Sequence, residues 1–368
     1  RNRKRPNPGA PPLGYGGTEA AQTHRYRLVR TAGSNTRGSA MPDIDRKEVA
    51  ILRILDEFHE PMGAGRIAKE LRDHGVELEE RAVRYHLEAL DDMGLTEPMG
   101  RPGRRITELG RQELRVARVA DKVDMVLARL EAFAYQTDVS PKNGRGKVVL
   151  NISFVPRDSL SAALDAMRPI LNSGYATSRR VGIFDSGERI GCHAVPLDMT
   201  GVGTVCSVTL NGILLKAGIP VQSLFGGLLA IEEGTPKRFT EVVHYGWTSL
   251  DPVEVFIKSG ATSVSSAVLR SSGVVGASFR EFPGVARDHA LRELEGIRPW
   301  GIGGVIAVGS PSSPLLEVDI APGRCGLVIA AGLNPVAAVE EAGVPTISHA
   351  LTDVFDYEKL VDVNEVSA

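Results

Sequence analysis

A stripe of arginine and tyrosine side chains is the part of this sequence best suited to chemistry. Arg81, Arg84 and Tyr85 are followed by Glu88, and the spacing i, i+3, i+4 and i+7 places all four on one helix face. Arginine can form two hydrogen bonds to the edge of guanine in a major groove. The stripe therefore predicts a helix that reads DNA bases. The alternative is an ordinary solvated helix face.

A second group of arginines surrounds a predicted turn shortly after this helix. Gly100 and Gly103 supply turn residues between two short strands. Arginines at such a tip can track phosphates or enter a minor groove. The hairpin is typical of the wing of a winged-helix domain, and its three arginines are Arg101, Arg104 and Arg105.

Three amphipathic helices must position these arginines. Apolar residues recur at 3.6-residue spacing over 51–58 and again over 67–71. A third helix spans about 79–92 and turns His86 inward, which predicts packing for this histidine. Followed by the hairpin, this order predicts a winged helix-turn-helix domain over 41–110.

The C-terminal part, 141–368, contains an internal duplication at an offset of about 125 residues. Ala217-Gly-Ile-Pro matches Ala342-Gly-Val-Pro, and Ser153-Phe matches Ser278-Phe. Each half predicts the order strand, helix, strand, strand, helix, strand, which fits a split β-α-β plait. The predicted fold class is α+β: an N-terminal winged helix-turn-helix followed by an α/β domain of two plait-like halves.

A pocket for a small ligand is expected where the two halves meet. Cys206, Thr209 and Asn211 sit where a strand should enter a helix, and backbone amides there could receive a carboxylate. Ser278 and Arg280 add a hydroxyl and a cation from the second half. The alternative is that these residues only form tight turns and pack in the core.

A helix over roughly 107–135, within a linker at 111–140, is predicted to join the two domains. Its apolar residues follow the 3 and 4 spacing of heptad a and d positions over nearly three heptads. This seam could pair two chains, or it could pack against the chain's own C-terminal domain, and the pattern fits both. The residues are Val116, Val119, Val123, Val126, Leu130 and Phe133.

The charge distribution limits where DNA could bind. The 368 residues carry a net charge of −2, but residues 1–40 carry +7, so the rest carries −9. Affinity for DNA must then be local.

We interpret 1–40 as a disordered leader or an over-extended gene start, with the true start at Met41. The alternative is a basic tail that adds nonspecific DNA affinity. The sequence contains no run of 18 apolar residues, so it predicts no membrane-spanning helix.

The wide spacing of the cysteines and the lack of known catalytic motifs favour a protein that is not an enzyme and binds no metal or cofactor. Cys192, Cys206 and Cys325 are widely spaced, so they make neither a zinc motif nor a disulfide framework, which suits a reducing cytoplasm. The histidines show no metal-ligand spacing. The sequence has no G-x-S-x-G, no P-loop and no H-E-x-x-H.

Four C-terminal motifs resemble the regulatory domain of the archaeal nitrogen-regulation repressor family NrpR. The segment before them resembles that family's winged helix, named after a related domain in ribonuclease R, and the resemblance covers about 46–360. The motifs are Thr204-Val-Cys-Ser-Val-Thr-Leu-Asn-Gly, Phe225-Gly-Gly-Leu-Leu, Gly276-Ala-Ser-Phe-Arg-Glu and Gly332-Leu-Asn-Pro-Val-Ala-Ala-Val-Glu-Glu-Ala-Gly.

The resemblance implies repression of nitrogen-fixation and glutamine-synthetase genes, relieved by 2-oxoglutarate. This dianion requires cations and hydrogen-bond donors. The candidate cations near the motifs are Arg280, Lys216 and Arg238, and the candidate donors are Thr209, Asn211 and Ser278, beside Cys206. Some family members carry two regulatory copies, and this chain carries one. A homodimer or a second regulatory-domain protein could supply the other copy.

We therefore expect a cytoplasmic, homodimeric transcriptional repressor that binds an inverted-repeat operator in double-stranded DNA and responds to 2-oxoglutarate. Two alternatives remain open. The protein could be an oxo-acid-binding enzyme whose winged helix is only an interaction module. It could also be a co-regulator that contacts RNA polymerase or another repressor.

Overall fold

The computed structural model describes residues 46–116 and 125–366. Its N-terminal part has three helices followed by a short hairpin, which confirms the predicted winged helix. The predicted leader at 1–40 lies outside the described residues. The elements are α1 (Arg46–Phe58), α2 (Ala64–Asp73), α3 (Glu80–Asp92), β1 (Thr96–Pro98) and β2 (Arg104–Ile106).

The apolar stripes of the three helices form one core. Val83, Leu87 and Leu90 of α3 are fully buried in it, and burying each such side chain stabilises the fold by about 1.5–3 kcal/mol. The wing is tied to the turn between α1 and α2, because the amide of Met62 donates to the carbonyl of Arg104 at 2.8 Å and the amide of Arg104 donates back at 2.9 Å. The position of the wing relative to the helices is thus fixed by backbone bonds.

Two helices follow the wing, α4 (Glu108–Val116) and α5 (Met125–Gln136). Residues 117–124, and with them two of the six heptad positions, lie outside the described residues. Val126, Leu130 and Phe133 are buried in a cluster with residues of the chain's own C-terminal domain. Of the two interpretations of the heptad pattern, packing on the same chain is correct for these three positions, so they are not available as a seam between two chains.

The C-terminal domain contains two five-stranded sheets. Its strands are β3 (Lys147–Pro156), β4 (Arg180–Phe184), β5 (Arg189–Ile190), β6 (His193–Ala194), β7 (Met199–Val205), β8 (Gln222–Glu232), β9 (Thr235–His244), β10 (Gly273–Pro283), β11 (Val305–Val308), β12 (Arg324–Ala330), β13 (Ile347–Asp356) and β14 (Val361–Asp362). Its helices are α6 (Leu160–Leu171), α7 (Val208–Lys216), α8 (Pro252–Lys258), α9 (Val264–Leu269), α10 (Arg287–Ile297) and α11 (Asn334–Glu341).

The two halves exchange their last strands. The first sheet has the order β13-β3-β7-β4-β14 and the second has the order β11-β12-β10-β8-β9. Strand β8 follows the first half in sequence but pairs with β10 of the second, and β13 follows the second half but pairs with β3 of the first. The predicted fold class, an α/β domain of two plait-like halves, is confirmed. Each sheet contains two strands that follow the other half in sequence, β13 and β14 in the first sheet and β8 and β9 in the second.

Helices of the two halves also pack against each other. Ala163 and Met167 of α6 lie in one apolar cluster with Val336 and Ala337 of α11. A second cluster joins α7 to α10 in the same way. Neither half has a core of its own.

Strand pairing gives the true register of the duplication. Equivalent residues are 127 apart in the first strand of each half and 125 apart in the strand that pairs with it. Ser278 therefore occupies the place of Asn151, and the match of Ser278 with Ser153 is displaced by two residues. The pairs that set this register are Leu150 with Val205 and Ala277 with Ala330.

A small hairpin of the C-terminal domain, β5 and β6, reaches the winged helix. Cys192 in its turn is buried among the apolar side chains of the winged-helix core. Across the described ranges, no helix is both long and apolar enough for a membrane crossing.

Candidate nucleic-acid interface and ligand site

The predicted base-reading face of α3 is exposed. Tyr85 is 71 % exposed, and Arg81 and Arg84 lie beside it on the surface. Arg84 forms an ion pair with Glu80 one turn earlier. His86 points inward, where a ring nitrogen lies 3.3 Å from the Glu48 carboxylate, so the prediction that it packs is confirmed. Exposed ion pairs contribute about 0–1 kcal/mol, so Arg84 can exchange its partner for DNA at little cost.

The three wing arginines have different surroundings. Arg101 is exposed at the turn, and Arg105 forms an exposed pair with Glu97 across the hairpin at 2.8 Å. Arg104 is different, since its Nε donates to Asp91 of α3 at 2.9 Å and its side chain is only 28 % exposed. Arg104 thus fastens the wing to α3, a role that the sequence pattern did not indicate.

The turn of the wing requires glycine. Gly103 has a φ of +114°, and a Cβ there would lie 2.1 Å from the carbonyl oxygen of Met62. No side chain fits this approach. The tip that carries Arg101 is therefore set by the backbone as well as by the Arg104 ion pair.

Arg280 is the most deeply buried cation of the predicted ligand site. It lies on β10 and is 1 % exposed. Its two terminal nitrogens donate to the carbonyl and the hydroxyl of Ser207 at 2.9 and 2.8 Å, so it connects the two halves. Its Nε has no hydrogen-bond partner among the described residues. Burial lowers the pKa of Arg280 to about 10, so the guanidinium is still charged at neutral pH.

Cys206 and Ser278 lie close to this arginine, because Cys206 precedes Ser207 and Ser278 is two positions from Arg280 on β10. Both line a cavity of about 30 Å³, together with Ser207 and Gly332. Burial raises the pKa of the Cys206 thiol to about 11, so the thiol is neutral and acts as a lining group. This cavity lies between the two halves, where a ligand pocket was expected, but by itself it has room for about one water molecule.

The other predicted ligand residues have structural contacts or lie elsewhere. Thr209 accepts a hydrogen bond from the amide of Val149 at 3.0 Å. Asn211 donates to Ser223 at 3.0 Å, although its carbonyl oxygen has no partner among the described residues. Lys216 is exposed and lies 4.8 Å from the ring centroid of Tyr135.

Arg238 is exposed on β9, one of the two edge strands of the second sheet. Neither it nor Lys216 shares the buried environment of Arg280. Of the three predicted cations, the structure brings only Arg280 to the junction of the halves.

A larger cavity of about 880 Å³ lies between the winged helix and the C-terminal domain. No sequence motif indicated it, because its walls come from distant parts of the chain. It shares Asp251, Ala350 and Leu351 with the small cavity, so the two are neighbours along one wall. Its charged and aromatic lining includes Arg53, Glu57, Arg129, His193, Glu254 and His349.

Buried ionisable groups of this large cavity are strongly perturbed. Burial raises the pKa of Glu57, but hydrogen bonding to His74 and the charge of Arg129 outweigh it and hold the pKa below its usual range. Burial, with repulsion from His349, lowers the pKa of His193 to about 4. Burial, with the Asp251 charge, raises the pKa of Glu254 to about 7. The protonation of these side chains therefore depends on the charged groups beside them in the wall between the domains.

A chain of contacts links the small cavity to the winged helix. Asn151 accepts a hydrogen bond from the amide of Leu351 at 3.2 Å. The carbonyl of Leu351 accepts from Arg129 at 2.8 Å, and Arg129 lies 3.6 Å from the carboxylate of Glu57 on α1. Leu351 has a φ of +53° at an irregularity of β13, a conformation that costs about 1–3 kcal/mol for a residue other than glycine. A strained residue thus lies between the two cavities.

Comparisons with known proteins assign both domains. Residues 123–362 match the family model described as NrpR regulatory domains NRD1 and 2. Residues 49–114 match the ribonuclease R winged-helix domain.

Curated relatives are nitrogen regulators. The chain is 35 % identical over 324 residues to the global nitrogen regulator NrpRI of Methanosarcina mazei, covering 88 % of this chain and 99 % of the relative. It is 33 % identical over 304 residues to the global nitrogen regulator NrpR of Methanocaldococcus jannaschii, covering 82 % of this chain and 52 % of the relative. The chain thus spans about half the length of this second relative.

A solved structure shares the fold of 65 % of this chain. It is a nitrogen repressor-like protein from Methanococcus jannaschii, with a TM-score of 0.56 and 26 % identity. The match covers 65 % of this chain and 98 % of that one.

Proposed function

Because the chain belongs to the NrpR family of nitrogen regulators, we propose that it is a transcriptional repressor of nitrogen-assimilation genes. In this proposal α3 enters the major groove and Arg81, Arg84 and Tyr85 contact bases. Arg101 and Arg105 neutralise phosphates beside it. The observation that supports this arrangement is the exposed face of α3 next to an arginine-bearing wing.

The proposed effector is 2-oxoglutarate, bound at the junction of the two plaits. A dianion removed from water requires a cation with free donors. Arg280 is buried, charged and has an unpartnered Nε among the described residues, which supports it as the anchor for one carboxylate. Arg280 reaches the small cavity through Ser207, which it contacts and which lines the wall, and the hydroxyls of Ser207 and Ser278 are possible donors there.

The ligand must extend beyond the small cavity. The neighbouring cavity of about 880 Å³ has room for the remainder of the molecule on the far side of Asp251, Ala350 and Leu351. In this pose the second carboxylate lies towards the side of Arg129, and the strained segment at Leu351 must move. The proposed site thus reaches from the sheet junction to the wall of the winged helix.

Movement of Leu351 supplies the link to DNA. Its carbonyl holds Arg129, which in turn lies against Glu57 near the end of α1. A ligand that displaces this segment releases Arg129 and changes how the winged helix is held. By linkage, 2-oxoglutarate then weakens operator binding, and operator DNA weakens 2-oxoglutarate binding by the same factor.

We further propose that two chains act together. The chain carries one regulatory domain, whereas the NrpR of Methanocaldococcus jannaschii is about twice as long as the part that this chain matches. A homodimer would place two winged helices on an inverted-repeat operator. We expect a cytoplasmic location, where operator and effector are both present.

Footprinting on the promoters of nitrogen-assimilation genes tests the proposal. Purified protein should protect an inverted repeat, and 2-oxoglutarate should abolish the protection. Glutarate, which lacks the ketone, is the matched control and should have little effect if a buried donor reads that oxygen. The lack of any protected site would contradict the repressor. A footprint indifferent to 2-oxoglutarate would contradict the effector alone.

A further inference from the structure

Three potential metal ligands from two domains converge on the wall of the 880 Å³ cavity. Glu57 comes from α1 of the winged helix, whereas Cys192 and His193 come from the β5–β6 hairpin. Their ligand atoms all lie within 4.8 Å of one another. The Cys192 thiol donates to Glu57 Oε1 at 3.2 Å, so the two groups are already in contact.

The surroundings hold these groups in place. The ring of His349 stacks on that of His193 with centroids 3.9 Å apart and planes 15° apart, which fixes the orientation of the imidazole. Cys192 is 8 % exposed and is packed by the winged-helix core. All three residues also line the cavity, so an ion and a further ligand can reach them.

We propose that Glu57, Cys192 and His193 bind a divalent transition-metal ion of the zinc type. Thiolate, imidazole and carboxylate are the three side-chain ligands of zinc, and three protein ligands leave a fourth position for water or another molecule from the cavity. Cys192 loses its proton when the metal binds.

The charges around Glu57 restrict which ion binds. Arg129 and His74 each lie 3.6 Å from its carboxylate and compete with any cation. A hard ion such as Mg²⁺ gains nothing from the thiolate and does not overcome this competition. An ion with affinity for sulfur does, so the site selects Zn²⁺ or Co²⁺ over Mg²⁺.

The ion would connect the two domains. One ligand belongs to α1, the first helix of the winged-helix domain, and two belong to the β5–β6 hairpin of the C-terminal domain. Metal occupancy would therefore fix the winged helix against the C-terminal domain, independently of any ligand at Arg280.

Titration of the full metal-free chain with Co²⁺ tests this proposal. We expect one equivalent to bind and to give the near-ultraviolet absorption of cobalt–thiolate coordination, with Zn²⁺ displacing it and Mg²⁺ not. C192S should abolish the band, and H193A and E57Q should weaken Co²⁺ binding by more than about tenfold, the effect that even an outer-shell partner commonly has.

Matched controls separate this site from others. C325S removes another buried thiol and H289A removes a histidine of α10, and neither should change Co²⁺ binding. The absence of the cobalt–thiolate band in the wild-type chain, or its persistence in a folded C192S variant, would overturn the proposal. Operator binding and the 2-oxoglutarate response, measured with a chelator present, test the proposed function separately from the metal.

Discussion

Arg129 donates a hydrogen bond to the carbonyl oxygen of Leu351 at 2.8 Å, across 222 positions of sequence. It thereby joins α5, the helix that carries Arg129, to the strained segment of β13 at Leu351. Because Arg129 also lies 3.6 Å from Glu57, the contact connects the wall of both cavities to α1.

We expect Arg129→Met to uncouple the effector from DNA. The variant keeps the aliphatic packing but loses both polar contacts, so 2-oxoglutarate should still bind while its effect on operator affinity falls from an expected coupling of about 1–3 kcal/mol towards zero. Calorimetry and operator titrations with and without 2-oxoglutarate measure this. Arg168→Met, at a surface pair with Asp165 on α6, is the control. Unchanged coupling in Arg129→Met would contradict the proposed route.

Substitution of Arg280 should separate ligand binding from DNA binding. Arg280→Lys keeps a cation but cannot satisfy both oxygens of Ser207 and also present Nε, so we expect 2-oxoglutarate binding to weaken by more than about tenfold, or 1.4 kcal/mol. Operator affinity should remain, which gives a repressor that is not induced. Arg238→Lys, on exposed β9, should bind the effector normally. Wild-type affinity in Arg280→Lys would exclude this arginine from the site.

The wing arginines should differ in what their loss does. Arg101→Ala should weaken binding to all DNA sequences about equally and reduce the slope of affinity against salt by about one ion. Arg104→Ala breaks the contact with Asp91, so it should also lower the thermal stability of the winged helix. Salt titrations and denaturation followed by circular dichroism distinguish the two. Equal melting temperatures would show that Arg104 does not anchor the wing.

Stability should depend on pH through Glu254. Burial and the nearby Asp251 charge raise its pKa from 4.5 to about 7 in the folded chain, so the folded state binds more protons than the unfolded state between these values. The resulting stabilisation is complete below pH 4.5 and is lost as the pH rises through about 7.

Glu254→Gln isolates this effect. It preserves the acceptor for the amide of Ala350 and cannot ionise, so relative to wild type the variant should gain up to about 3 kcal/mol in stability between pH about 4 and pH about 8. Urea denaturation at both pH values measures the difference, with Glu241→Gln on β9 as an exposed control. The same difference at both pH values would contradict a raised pKa.

The sequence predicted those parts of the fold that depend on local periodicity. The stripes of α1, α2 and α3 and the turn at Gly103 each lie within one element, where spacing fixes which side chains share a face. Ser278 and Arg280 stay predictions as ligand residues, and they lie two positions apart, so they share one face of β10.

The remaining site residues could not be predicted because their proximity is created by tertiary structure. Cys192 lies 135 positions from Glu57, and no spacing rule applies between separate domains. Lys216 and Arg238 lie near the relevant motifs in sequence, but a helix end and an edge strand carry them to the surface. The heptad spacing was ambiguous because fewer than three heptads fit both a seam between chains and packing on the same chain.

The exchanged strands determine how the domain can be made. Strand β3 is among the first parts of the C-terminal domain to be synthesised, but its partner β13 is among the last. During translation β3 lacks its partner until residues 347–356 have left the ribosome, so one edge of the first sheet stays unpaired. Unpaired edges tend to associate with strands of other chains. A chain stopped between the halves would contain two incomplete sheets, so the domain can form only after both halves have been synthesised.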